Sequence, residues 1–188
     1  MKQEIEIEFK NLLTTEEYNF LLNALPFPKE GKEQINHYFE TESFDLKSCH
    51  SALRIREKEG KFYLTLKEPY ESGLLETHDS LTKNEVSQWI AGAIIPKPNT
   101  LNRLKHLNIN PTELQYFGSL TTIRRQYERN GFIFVLDKSM YNGCTDYELE
   151  IEAPSYSTGK TLFLNLLEQY KIKQKTTPNK IERFFNSK

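Results

Sequence analysis

The stretch Glu4-Ile5-Glu6-Ile7-Glu8-Phe9-Lys10 alternates without exception. Glu4, Glu6, Glu8 and Lys10 share one parity, and Ile5, Ile7 and Phe9 the other. Side chains in a strand repeat every two residues, so this segment predicts a strand with one charged and one apolar face. Glutamates on one face sit roughly 7 Å apart and repel unless positive charge lies between them. A divalent cation is a natural candidate for that charge. The rest of the chain is expected to face this strand with charge of both signs.

Composition narrows the classes. A chain of 188 residues predicts a single domain spanning 1–188. Charged residues make up 27%, and 25 Lys and Arg nearly balance 26 Asp and Glu, for a net charge of -1. That balance gives no support for general nucleic-acid or membrane-surface binding. An anion would have to be held by a local cluster. No apolar run is long enough to span a bilayer, and no signal-peptide core is visible, so a cytoplasmic protein is expected. Cys49 and Cys144 lack metal-motif spacing and read as reduced thiols.

Further strands are expected at Glu33–Glu42, Ser51–Glu59, Phe62–Glu68, Leu74–Leu81, Leu120–Arg129, Phe132–Lys138 and Tyr147–Ala153. Gly60-Lys61, Asn130-Gly131 and Asn142-Gly143 read as turns between them. The strand at Tyr147 nearly copies the opening one, with Glu148, Glu150 and Glu152 opposing Tyr147, Leu149 and Ile151. Capping boxes at Thr14-x-x-Glu17 and Thr82-x-x-Glu85 start helices. A short helix on Leu101, Leu104 and Leu107, one from about Thr158 to Tyr170, and a last one opened by Thr177-Pro178 complete the set.

Each strand has one apolar face and each helix one apolar stripe, so helices are expected to cover the apolar faces. Two arrangements leave the charged faces satisfied: an open sheet wetted on that side, or a closed barrel with a charged interior. Segregation of charge favours the barrel. Acids occupy the first and last strands; Arg54, Arg56, Lys67 and Arg124 occupy the middle ones. Arginine grips phosphate oxygens bidentately, and lysine acts as a point charge. Carboxylates suit Mg2+ or Mn2+. A polyphosphate carrying a metal satisfies both halves. Among the histidines, His78 near Glu76 reads as a neutral hydrogen-bonded group rather than a base, His37 as packing, and His50 and His106 as solvated.

Taken in order, Glu6-x-Glu8-x-Lys10, Leu53-Arg54-Ile55-Arg56, Leu64-Thr65-Leu66-Lys67, Arg124 with Tyr127, Leu136-Asp137 and Glu148-x-Glu150-x-Glu152 resemble the CYTH superfamily, the triphosphate tunnel metalloenzymes. The resemblance covers nearly the whole chain. It implies an α+β fold: an eight-stranded antiparallel closed β-barrel forming a tunnel, with helices packed outside. It also implies metal-dependent chemistry on triphosphates.

By motif match, Glu6, Glu8, Asp137 and the last acidic strand would hold metal. The family pattern has two alternating acids there and this chain has three, so the matching pair is Glu148/Glu150 or Glu150/Glu152. Lys10, Arg54, Arg56, Lys67 and Arg124 would hold phosphates, with Glu6, Glu8 and Lys10 at the reacting centre. Lys180 or Arg183 would close the site from the carboxyl-terminal end.

The expected activity is hydrolysis of a triphosphate, inorganic or organic. A class IV-type adenylyl cyclase and a non-catalytic polyphosphate-binding module are the alternatives. The expected ligand is a triphosphate small molecule, with a homodimer as the assembly considered.

Overall fold

The structure is a computed structural model describing residues 2–71 and 73–187. Nine strands are present among them: β1 Lys2–Glu6, β2 Glu8–Leu13, β3 Lys32–Glu40, β4 Ala52–Lys58, β5 Lys61–Tyr70, β6 Gly73–Leu81, β7 Gln115–Arg129, β8 Phe132–Tyr141 and β9 Cys144–Glu152. The helices are α1 Thr15–Ala24, α2 Asp45–Ser48, α3 Lys83–Ile90, α4 Pro98–His106, α5 Tyr156–Gln169 and α6 Lys180–Asn186. A 3-10 turn covers Pro111–Glu113. Strand order is β1-β6-β5-β4-β3-β7-β8-β9-β2. The two ends of that order, β1 and β2, are consecutive in the chain.

The ninth strand corrects the expected eight. The opening alternation is cut at Ile7, where the Ile7 carbonyl accepts from the Ala153 N–H at 2.8 Å. Upstream of the cut the chain pairs with β6, and downstream with β9. Both capping boxes form as expected. Other features differ from expectation. The β4–β5 turn lies at Glu59-Gly60, both with left-handed φ (51° and 71°), which a two-residue hairpin requires. Strand β7 begins at Gln115 rather than Leu120. The last helix has Asn179 at its N-cap position, so Pro178 lies before the cap instead of at the first helical position. Helix α2 was not expected. It is held by Glu40, whose carboxylate accepts from the backbone N–H groups of Thr41, Leu46 and Lys47.

Contacts divide the chain into two compact units: the chain up to Ile5 with Gln34–Leu120, and Glu6–Glu33 with the chain from Thr121 onward. In the first, β3 to β6 pair antiparallel in sequence order. Their apolar faces (Phe39, Leu53, Ile55, Leu64, Leu66) bury under Leu46, Val86, Trp89 and Leu104 from three helices. Buried Asp79 of β6 caps α4, accepting from the Thr100 N–H at 2.8 Å and the Thr100 hydroxyl at 2.6 Å. In the second, β7, β8, β9 and β2 pair antiparallel in that order. Leu13, Phe134, Leu136, Leu149 and Ile151 bury under α1 and α5 through Tyr18, Leu21, Phe163, Leu166 and Leu167. In each unit the helices take the apolar strand faces, which leaves the polar faces to functional side chains.

Helix α5 seats closely because Gly159 has no Cβ. A methyl there would lie 2.4 Å from Phe9 Cε2 and 2.5 Å from Ala153 Cβ. Overpacking costs about 1–3 kcal/mol, against roughly 1 kcal/mol gained by Ala over Gly in a helix. The Ala153 methyl cannot rotate away, so Gly159→Ala is expected to lower the urea midpoint. An unchanged or raised midpoint would contradict this close approach.

Candidate functional site

In the second unit, strand register decides which charged groups meet. Lys10 pairs with Glu150 and Glu8 with Glu152 across β2–β9. Asp137 pairs with Glu148 across β8–β9, and Arg124 with Asp137 across β7–β8. All these residues lie on the face away from α1 and α5.

The Arg124 guanidinium donates to Asp137 from Nε (2.9 Å) and Nη2 (2.6 Å), and to Glu150 from Nη2 (2.7 Å). Asp137 is fully buried. Burial works against the Arg124 charge, but Asp137 and Glu150 outweigh it and hold its pKa well above the usual arginine range. Arg125 takes the opposite face, donating to the Tyr18 hydroxyl (2.7 Å) and the Lys29 carbonyl (3.1 Å).

Helix α6 brings two more cations to the same acids. Lys180 Nζ lies 2.9 Å from Asp137 and 3.1 Å from Glu148, and also donates to Glu150. Arg183 donates to Asp146 (2.9 Å) and Glu148 (2.5 Å). Phe184 is completely buried and anchors the helix. Asn142, in the β8–β9 turn, donates to the Phe184 carbonyl (3.2 Å). Fully buried Asn11 of β2 secures the segment before α6, donating to the Lys173 carbonyl and accepting from the Lys175 N–H. Lys10 donates to Glu8 (2.8 Å) and to Asn179.

The three glutamates of β9 therefore have different surroundings. Glu150 is surrounded by cations. Burial opposes its charge, but Lys180 and Arg124 prevail and depress its pKa strongly. Glu148 is pushed up, with burial exceeding the pull of Lys180 and Arg183. Glu152 is pushed up to about 7, first by burial and then by the negative charge of Glu6, offset in part by Arg124. Glu150 and Glu8 raise it further.

In the first unit the polar face of β4, β5 and β6 carries the basic set. Arg54 Nη2 and Lys67 Nζ approach the same oxygen of Glu76 at 3.2 and 3.3 Å. Arg56 donates from Nε to Asn36 at 3.0 Å. Burial alone would raise the Glu76 pKa; Arg54, Lys67, Arg56 and His78 bring it down to about 2. His78 lies 2.9 Å from the Thr65 hydroxyl.

Each residue picked from the sequence sits on a polar strand face or on α6. Glu6, Glu8, Lys10, Arg124, Asp137, Glu148, Glu150, Glu152, Lys180 and Arg183 fall in the second unit, and Arg54, Arg56 and Lys67 in the first. Asn11, Asn36, Asp146 and Asn179 escaped the sequence reading, since an isolated Asn or Asp carries no periodic signal. Glu76 was placed near His78, but its two cationic partners were not foreseen.

The CYTH domain model matches residues 4–185. The chain belongs to the CYTH domain family. Relatives of this CYTH chain include a candidate triphosphatase, YjbK of Bacillus subtilis (strain 168), 48% identical over 189 residues that cover 100% of this chain and 98% of the relative. A solved candidate adenylate cyclase from Bacillus halodurans is 41% identical with a TM-score of 0.94, covering 98% of this chain and 100% of that one. That likeness bears out the α+β, antiparallel β-barrel class expected from sequence. HpAC1 from Hippeastrum, named as a candidate adenylyl cyclase and described as having a dominant triphosphatase activity, is 27% identical with a TM-score of 0.79 over 98% of this chain and 96% of its own. No helix among the described residues is long and apolar enough to cross a membrane.

Proposed function

We propose that the protein is a metal-dependent triphosphatase, which hydrolyses a phosphoric anhydride bond of a linear triphosphate. The carrying observation is the Glu6, Glu8 and Glu152 set. Burial and the charges of Glu6 and Glu8 contribute to raising Glu152 to about 7. Carboxylates that resist sharing negative charge in this way fit a hard divalent cation, which relieves the repulsion. Glu6, Glu8 and Glu152 would hold Mg2+ or Mn2+, and this assigns Glu152 to the metal rather than Glu148. When bound, the ion supplies Lewis-acid neutralisation of phosphate oxygens.

The other residues bind and orient. Arg124 is fixed by two carboxylates, so its charge is in place before substrate arrives, which is how positioned cations serve phosphoryl transfer. Arg54, Arg56, Lys67 and Lys10 take phosphate oxygens. The Asp137, Glu148 and Glu150 carboxylates hold Arg124, Lys180 and Arg183, which for Asp137 and Glu150 is a structural task in addition to the ligand role that the family motif implies. The HpAC1 description favours hydrolysis over cyclisation, because that relative is named for cyclase and described by its triphosphatase activity.

The test compares kcat/KM for tripolyphosphate, thiamine triphosphate, ATP and pyrophosphate under one metal condition. Tripolyphosphate is expected to exceed pyrophosphate, since a third phosphoryl group offers the basic set further charge-assisted hydrogen bonds. Arg54→Ala and Arg56→Ala are expected to weaken triphosphate binding by roughly 2–5 kcal/mol, the usual cost of losing one side of a buried charged pair. Pyrophosphate equal to tripolyphosphate would overturn the chain-length reading. Cyclic AMP formed faster than phosphate would move the assignment to a cyclase.

A further inference from the structure

The first unit holds a second constellation with ligand chemistry. Ligand atoms of Glu4 (β1), Glu76 and His78 (both β6) all lie within 4.8 Å of one another. His78 Nε2 is 3.1 Å from a Glu4 oxygen and 3.4 Å from Oε2 of Glu76. For metal–ligand bonds near 2.1 Å, adjacent ligand atoms are separated by about 3.0 Å in an octahedron and about 3.4 Å in a tetrahedron. We propose that Glu4, Glu76 and His78 form a divalent-cation site with an imidazole ligand, suited to Zn2+ or Mn2+.

The two oxygens of Glu76 have divided roles. Oε1 takes Arg54 and Lys67, which fixes the carboxylate and leaves Oε2 turned to His78. The other ring nitrogen of His78 lies 2.9 Å from the Thr65 hydroxyl. A ligating histidine commonly donates that second N–H to an oxygen, which fixes the tautomer and frees the first nitrogen for metal. With Nδ1 donating to Thr65, the Nε2 lone pair points at two carboxylate oxygens, an arrangement that a cation between them stabilises.

Glu4 is 58% exposed at its side chain, so the ion reaches solvent and water can complete its coordination. The nitrogen ligand separates the two sites chemically. Imidazole suits Zn2+, whereas Mg2+ prefers oxygen alone. Arg54 and Lys67 nearby temper the affinity, which makes the site exchangeable rather than permanent.

The site is tested with metal alone, so its outcome is independent of the hydrolase reading. The metal-free full chain is titrated calorimetrically with ZnCl2 in saturating Mg2+. The wild type is expected to bind a Zn2+ equivalent that is retained in Glu6→Gln. His78→Ala should lose it, and Thr65→Val should weaken it at least about tenfold, the range for removing a ligand's supporting partner. Glu4→Gln, at an exposed position where folding is not at stake, should weaken it likewise. Zn2+ binding unchanged in both His78→Ala and Glu4→Gln would overturn the proposal. So would an equivalent lost in Glu6→Gln and kept in His78→Ala.

Discussion

Glu6→Gln and Glu8→Gln are each expected to lower kcat/KM at least about a hundredfold while the fold survives. Removing even a supporting partner of a metal ligand costs about 10–100-fold, and each of these changes removes a ligand charge itself. Gln keeps the size of the side chain and relieves part of the repulsion at Glu152, so melting temperature should hold or rise. That split distinguishes a functional carboxylate from a structural one. Full activity in both variants at saturating Mg2+ would remove the assignment of these residues to metal.

Arg124→Ala is expected to damage both stability and activity. It leaves Asp137 and Glu150 without the guanidinium that joins them, at an Asp137 that is fully buried. Removing one partner of a buried ion pair costs about 3–5 kcal/mol, although Lys180 still contacts both carboxylates and lessens the loss. Arg125→Ala, one residue on, removes bonds to Tyr18 and to the Lys29 carbonyl on the other face. It should cost stability but spare kcat/KM. Denaturant midpoints and kcat/KM for the two variants give the comparison. A larger activity loss in Arg125→Ala would reverse the facing of β7.

Wherever a local rule operates, the site was readable before the structure. The opposition of Arg124 and Arg125 follows from a period of two. The separation of basic strands from acidic ones was visible for the same reason. Asp137 and Lys138 divide between faces in the same way. Harder to see were groups whose partners come from far along the chain. Asp79 caps a helix that starts at Pro98. Nothing in the spacing of Asn11 discloses that it holds Lys173 and Lys175, more than 160 residues on.

The three glutamates of β9 show the boundary between the two sources. Alternation alone determined that Glu148, Glu150 and Glu152 share a face, that their strand resembles the opening one, and that Asn130-Gly131 and Asn142-Gly143 turn the chain between paired strands. Only the tertiary structure decided that Glu152 stands opposite Glu8, that Glu150 stands opposite Lys10 beside Arg124, and that α6 sets Lys180 and Arg183 against Glu148. It also decided that the opening strand breaks at Ile7 to pair on either side with different strands. Backbone geometry sends a side chain to one face or the other from its own position. The field that sets its charge comes from neighbours chosen by register and packing, and those neighbours are distant in the chain.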